Sequence, residues 1–153
     1  MNDADPPDSP LRILVDDRQD RPVDSGGLVD LAEAVLRGEG LMQAELSVSF
    51  VTSAEIEELH VRYLGEPGPT DVLSFPLDER VDGVRLLGDV VICPEVAAAN
   101  VSSSRAPAHT VDDELRLLMA HGILHLLGHD HEEGTQRDAM WAKQERYSGV
   151  RVP

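Results

Sequence analysis

The chain has 153 residues, of which 41% are hydrophobic, and 29 Asp and Glu against 13 Lys and Arg give it a formal net charge of −16. That size suits one domain with a substantial core, and no apolar run approaches the length needed to cross a bilayer. A single cysteine excludes an internal disulfide framework, and the excess of acid argues against tight, nonspecific binding to phosphate backbones.

Residues 1–10 are acidic and proline-rich, have no apolar segment of the kind a secretory signal needs, and are expected to be a disordered tail. A soluble cytoplasmic protein is expected, with residues 11–153 forming one domain. Leu11–Asp16 reads as the first strand. After a turn-rich segment through Gly26 and Gly27, Leu28, Leu31, Ala32, Val35 and Leu36 form an apolar stripe at helical spacing over Leu28–Gly38. Glu45–Val51 alternates apolar and polar, with Leu46, Val48 and Phe50 on one side, and predicts a strand.

Thr52 or Ser53 caps a predicted helix running to about Tyr63, with Glu55 and Glu57 near its positive end. Prolines and glycines make 65–69 a loop. Asp71–Phe75 and Leu86–Cys93 read as strands joined by a turn at Asp82-Gly83, and Cys93 as a buried, inert position. Pro94 suits the first turn of a helix over Pro94–Ser103. Arg105–Thr110 is a polar loop, a long helix begins at Asp112 or Asp113, and an amphipathic helix covers Glu133–Tyr147. Strands alternating with helices indicate α/β layering. An antiparallel pairing of 71–75 with 86–93 makes the sheet a small mixed one of about four strands, an α/β (α+β) fold with packed helices.

The chemistry concentrates in Met119–His131, which holds four of the six histidines. On a helix, His121 and His125 fall on one face a turn apart. Gly128 suits a left-handed helix end, so the chain can double back and carry His131 toward them. Three imidazoles without a nearby cysteine suit a zinc ion with one open position for water, and such an ion lowers the pKa of bound water to about 7. The spacing matches the zinc peptidase signature H-E-x-x-H-x-x-G-x-x-H, except that Gly122 stands where those enzymes carry the glutamate base. A glycine inside a helix costs about 1 kcal/mol relative to alanine, which points to close approach by substrate or by a neighbouring strand. Asp130 is open between a partner that orients a ligand and a plain turn residue. His129 reads as a surface or substrate-side group rather than a proton shuttle, and Met140 as a helix-face contact rather than a floor beneath the metal.

The run His121-Gly-Ile-Leu-His-Leu-Leu-Gly-His-Asp-His131 resembles the H-G-x-L-H-L-x-G-[YH]-D-H signature of the YbeY family, bacterial rRNA maturation factors described as metal-dependent endoribonucleases. Pro69–Pro76 (P-T-D-V-L-S-F-P) and Leu87–Cys93 resemble two further blocks of that family in the same order and spacing, so the likeness covers about Leu11 to Tyr147. The resemblance implies a zincin-like fold and a zinc-dependent, single-strand-specific endoribonuclease acting in rRNA maturation and ribosome assembly. His121, His125 and His131 would be its metal ligands. It also implies single-stranded precursor rRNA as substrate and the small ribosomal subunit or assembly proteins as partners, with no DNA and no membrane involved. The family's catalytic arginine, in a Y-R pair, is replaced here by Tyr63-Leu64. Arg62 is the candidate to take its place, against the alternative of a solvated helix-surface arginine. The competing function is an assembly factor whose zinc is mainly structural, without strong nuclease activity. A zinc hydrolase for peptides or other small substrates is a third.

Overall fold

The computed structural model describes residues 11–68, 70–103, 109–129 and 134–150. Four strands form one mixed sheet: β1 (Leu11–Asp17), β2 (Ala44–Phe50), β3 (Val72–Val81) and β4 (Val84–Ile92), in the spatial order β1-β2-β4-β3. β1 pairs parallel with β2 and β2 parallel with β4, while β3 runs antiparallel to β4. The helices are α1 (Ser25–Gly38), α2 (Ser53–Leu64), α3 (Pro94–Ser102), α4 (Val111–Leu126) and α5 (Gly134–Ser148). No described helix is long and apolar enough to cross a membrane. The predicted α+β fold with a four-stranded mixed sheet is what forms.

The period-2 pattern of β2 decides which side of the sheet is closed. Ala44, Leu46, Val48 and Phe50 are all fully buried and face the same way. They meet the apolar stripe of α1, whose buried residues are the five predicted from spacing, and Leu115, Met119, Ile123 and Leu124 of α4. Fully burying each such side chain is worth about 1.5–3 kcal/mol, so this face carries most of the core. The other face is thinner: Val51, Ile56, Leu73, Val91 and Cys93 form a separate small cluster beneath α2 and the start of α3.

Of the boundaries that differ from expectation, three have a clear local reason. α1 begins at Ser25, because the Asp24 side chain accepts a hydrogen bond from Gly27 N and caps the helix ahead of its apolar stripe. α4 begins at Val111, because Thr110 and Asp113 cap each other's backbone N–H in a reciprocal box. β3 continues past Phe75 to Val81. It is an edge strand, where Pro76 can go without an N–H donor. A register shift between Pro76 and Glu79, with Asp78 at φ 53°, bends it onward. The hairpin then closes on Asp82-Gly83, the turn expected there, with φ 53° and 82°. The predicted tail, and most of the predicted loop 105–110, lie outside the described residues.

Candidate metal centre

α4 is the element that positions the site. Its first turn is acidic (Asp112, Asp113, Glu114) and its N-terminus carries the capping box, so the start of the helix is fixed electrostatically as well as by hydrogen bonds. At 100° per residue, Gly122 turns to the sheet while His121 and His125 lie about 100° and 60° round the helix from it, on one flank. A Cβ on Gly122 would stand 2.7 Å from Val90 Cγ1 and 3.3 Å from Ser74 Oγ. Valine is rigid at that bond, so only glycine lets α4 lie this close to β3 and β4. Ser74 Oγ also donates to the Gly122 carbonyl at 3.0 Å. Of the two explanations for this glycine, approach by a neighbouring strand is the one found. Ser74 therefore serves packing.

The rings of His121 and His125 stand 4.9 Å apart between centroids, edge to face at 61°, and both are partly exposed. The helix then ends in a Schellman motif. His129 N donates to Leu124 O, and Gly128 N to His125 O, both at 3.0 Å, with Gly128 at φ 94°. The left-handed helix end anticipated at Gly128 is thus what forms. His131, the third predicted ligand, and Asp130 lie outside the described residues. Among the described residues no three metal-binding side chains gather into a site. The two imidazoles present fit a cation of zinc's kind: nitrogen donors, one helical turn apart, on the exposed side of a rigidly held helix.

Two supports under this motif have no obvious signature in the sequence. Gln144, 6% exposed, accepts through Oε1 from His121 Nδ1 at 2.9 Å. Glu39, at the end of α1, gathers three donors: His129 Nε2 at 2.8 Å and Lys143 Nζ at 2.9 Å on Oε1, and the Tyr147 hydroxyl at 2.7 Å on Oε2. Burial pushes the Glu39 carboxyl upward, but the bonds from Tyr147, Lys143 and His129 outweigh it and bring the pKa down to about 2. The same burial and the same carboxylate push the Tyr147 hydroxyl up. His129, expected at the surface or the substrate side, is instead half-buried and tied to α1. Met140 is fully buried in the core, as a helix-face contact.

A cleft of about 440 Å³ opens beside His121, lined also by Asp71, Asn100, His109, Glu114 and Gln144. Within it His109 Nε2 and Glu114 Oε1 are 2.8 Å apart, and Asn100 Nδ2 donates to Asp71 at 3.3 Å. His109 and Glu114 escaped the sequence reading; their one signal is their position astride the Thr110 cap. Arg62 projects from the last turn of α2, its side chain 59% exposed, and meets Glu58 at 3.4 Å. Cys93 is fully buried, and that burial pushes its thiol pKa up.

The model of the family "Endoribonuclease YbeY" matches residues 15–149. The chain belongs to the endoribonuclease YbeY family. Among its relatives, the Streptomyces coelicolor endoribonuclease YbeY is 41% identical over 144 residues, 88% of this chain and 86% of that protein. The Thermobifida fusca endoribonuclease YbeY is 45% identical over 131 residues, 80% and 83% of the two chains. The one from Leifsonia xyli is 50% identical over 108 residues, 66% of this chain and 69% of the other. A solution structure of a Thermotoga maritima protein superposes with a TM-score of 0.60 at 32% identity, covering 90% of this chain and 86% of that one. The YbeY family resemblance read from the three sequence blocks is thus matched at the level of whole chains and of fold.

Proposed function

We propose that the chain is a zinc-dependent endoribonuclease of single-stranded RNA, acting in rRNA maturation, with His121, His125 and His131 holding one zinc ion. The observation that carries this is the pair of imidazoles on one face of α4, the first of them lining a cleft, in a chain of the endoribonuclease YbeY family. Zinc bound there would supply a Lewis acid for the phosphodiester and an activated water. The chain's own part is orientation. α4 is pinned to the sheet through Gly122, Gln144 holds the His121 ring, and the helix closes at Gly128 in a Schellman turn. Arg62 enters the proposal as a phosphate contact, since guanidinium pairs well with phosphate and α2 leads directly into the segment that brings Asp71 to the cleft. The reading carries a cytoplasmic setting and partners on the small ribosomal subunit or among its assembly proteins.

The test is cleavage of single-stranded RNA by highly purified protein. Chelation and His125→Ala are each expected to abolish it, and Arg62→Ala to weaken it by less. Cleavage that survives both chelation and His125→Ala would overturn the proposal.

One observation favours the second reading, an assembly factor with a mainly structural zinc: the cleft wall carries the carboxylates of Asp71 and Glu114, which repel an RNA backbone. On that reading His125→Ala leaves small-subunit binding intact while cleavage is absent even from the wild-type protein.

A further inference from the structure

α5 packs against α4, and among its described residues Met140, Gln144 and Ser148 are buried. Of these Met140 is fully buried, and one turn further on stands Gln144, 6% exposed. A carboxamide placed so deep costs about 1–3 kcal/mol unless its polar atoms find partners. Its oxygen has one: Oε1 accepts from His121 Nδ1 at 2.9 Å. A carbonyl oxygen can only accept, so Nδ1 carries the ring proton, and the lone pair of the neutral imidazole falls on Nε2.

We propose that Gln144 is a positioning residue for the metal centre: it selects the Nδ1–H tautomer of His121 and fixes the ring so that Nε2 faces the cation. The inference rests on the metal reading given above and deepens it. A hydrogen bond from the outer nitrogen of a ligating histidine ordinarily sets both ring orientation and ligand strength. The partner is most often a carboxylate or a backbone carbonyl. Here it is a neutral amide, which orients the ring without adding to the negative charge that Asp71 and Glu114 already bring to the cleft. Packing alone does not account for the residue, because leucine would fill comparable space there with no polar group to satisfy.

The experiment uses the full chain and measures zinc affinity by competition with a chromophoric chelator, with the visible spectrum of the cobalt-substituted protein as a readout of ligand geometry. Gln144→Leu is expected to weaken zinc binding about 10–100-fold and to shift the cobalt bands, while Gln144→Glu, which can accept the same bond, stays close to wild type. Nitrogen-15 shifts of the metal-free wild-type protein should show His121 protonated on Nδ1. Gln144→Leu binding zinc as wild type does, or His121 found as the Nε2–H tautomer, would overturn the inference. The tautomer measurement decides the matter if the leucine variant does not fold. A wild-type chain that takes up no zinc, or a His121→Ala variant that binds it undiminished, would bring down the metal reading itself, and this role with it. That outcome is distinct from wild-type binding that depends on His121 but not on Gln144.

Discussion

The two faces of the sheet are built to different standards. The face under α1 and α4 is a continuous apolar layer, and along β2 no side chain on it is reached by solvent. The opposite face holds five buried residues and a half-open hollow where Tyr63 stacks edge-on against Phe75 at 5.4 Å. The candidate metal helix belongs to the first face. A catalytic constellation must be held to about 0.5 Å to be productive, and the closed face supplies that rigidity, whereas the open one can vary without disturbing it.

The sharpest way to break this contrast is to truncate one aromatic on each face. Phe50→Ala, on the closed face, is expected to cost about 3–5 kcal/mol of unfolding free energy, and Phe75→Ala about half as much. Equal losses in denaturant titrations would mean that the two faces do not differ in packing quality. Glu39→Gln comes next, with a loss of up to about 3 kcal/mol near neutral pH from a shift of this size. Folding lowers the Glu39 pKa from 4.5 to about 2. Its stabilisation is therefore complete above pH 4.5 and disappears as pH falls toward 2. The stability gap between wild type and variant should close over that window, and a gap independent of pH would refute the charge-based account.

Gly122→Ala tests how closely α4 sits on the sheet. Crowding Val90 costs about 1–3 kcal/mol, and the better helix propensity of alanine returns about 1 kcal/mol. A net loss of about 1 kcal/mol in thermal or denaturant unfolding is expected, and a gain would mean that Val90 gives way. The smallest effect belongs to Arg18, which binds Asp16 and Glu55 on the exposed side of the sheet. These carboxylates hold its guanidinium further into the charged range, yet a solvent-screened cluster contributes little. Arg18→Ala should cost under about 1 kcal/mol, and less still in high salt.

What the sequence made legible follows the range of the interactions involved. The stripe of α1 and the alternation of β2 are periodic patterns within a few residues, and both were read correctly. The two histidines one turn apart and the helix-ending Gly128 were legible for the same reason. Gly122 was half legible: its helix cost announced a close neighbour without saying which. The start of α4 was misplaced because Thr110 acts through a hydrogen bond to Asp113 that competes with the apolar pattern as a boundary marker. Pro76 appeared to end β3, since nothing local says that the strand lies at an edge. Gln144 and Glu39 reach the site from 23 and 90 positions away along the chain. The one trace left by Gln144 is a polar residue one helical turn on from Met140, and Glu39 left none.

Cys93 also gives the molecule a built-in clock. It is the chain's one cysteine, shut away at the junction of β4 and α3, with its backbone N–H bonded to Asp71 O at 2.9 Å. A thiol reagent can reach it only when that junction opens, so its labelling rate counts opening events at the end of the sheet next to the cleft. Comparing that rate with and without added zinc would tell whether loading the histidines stills the neighbouring strand, with no probe introduced from outside.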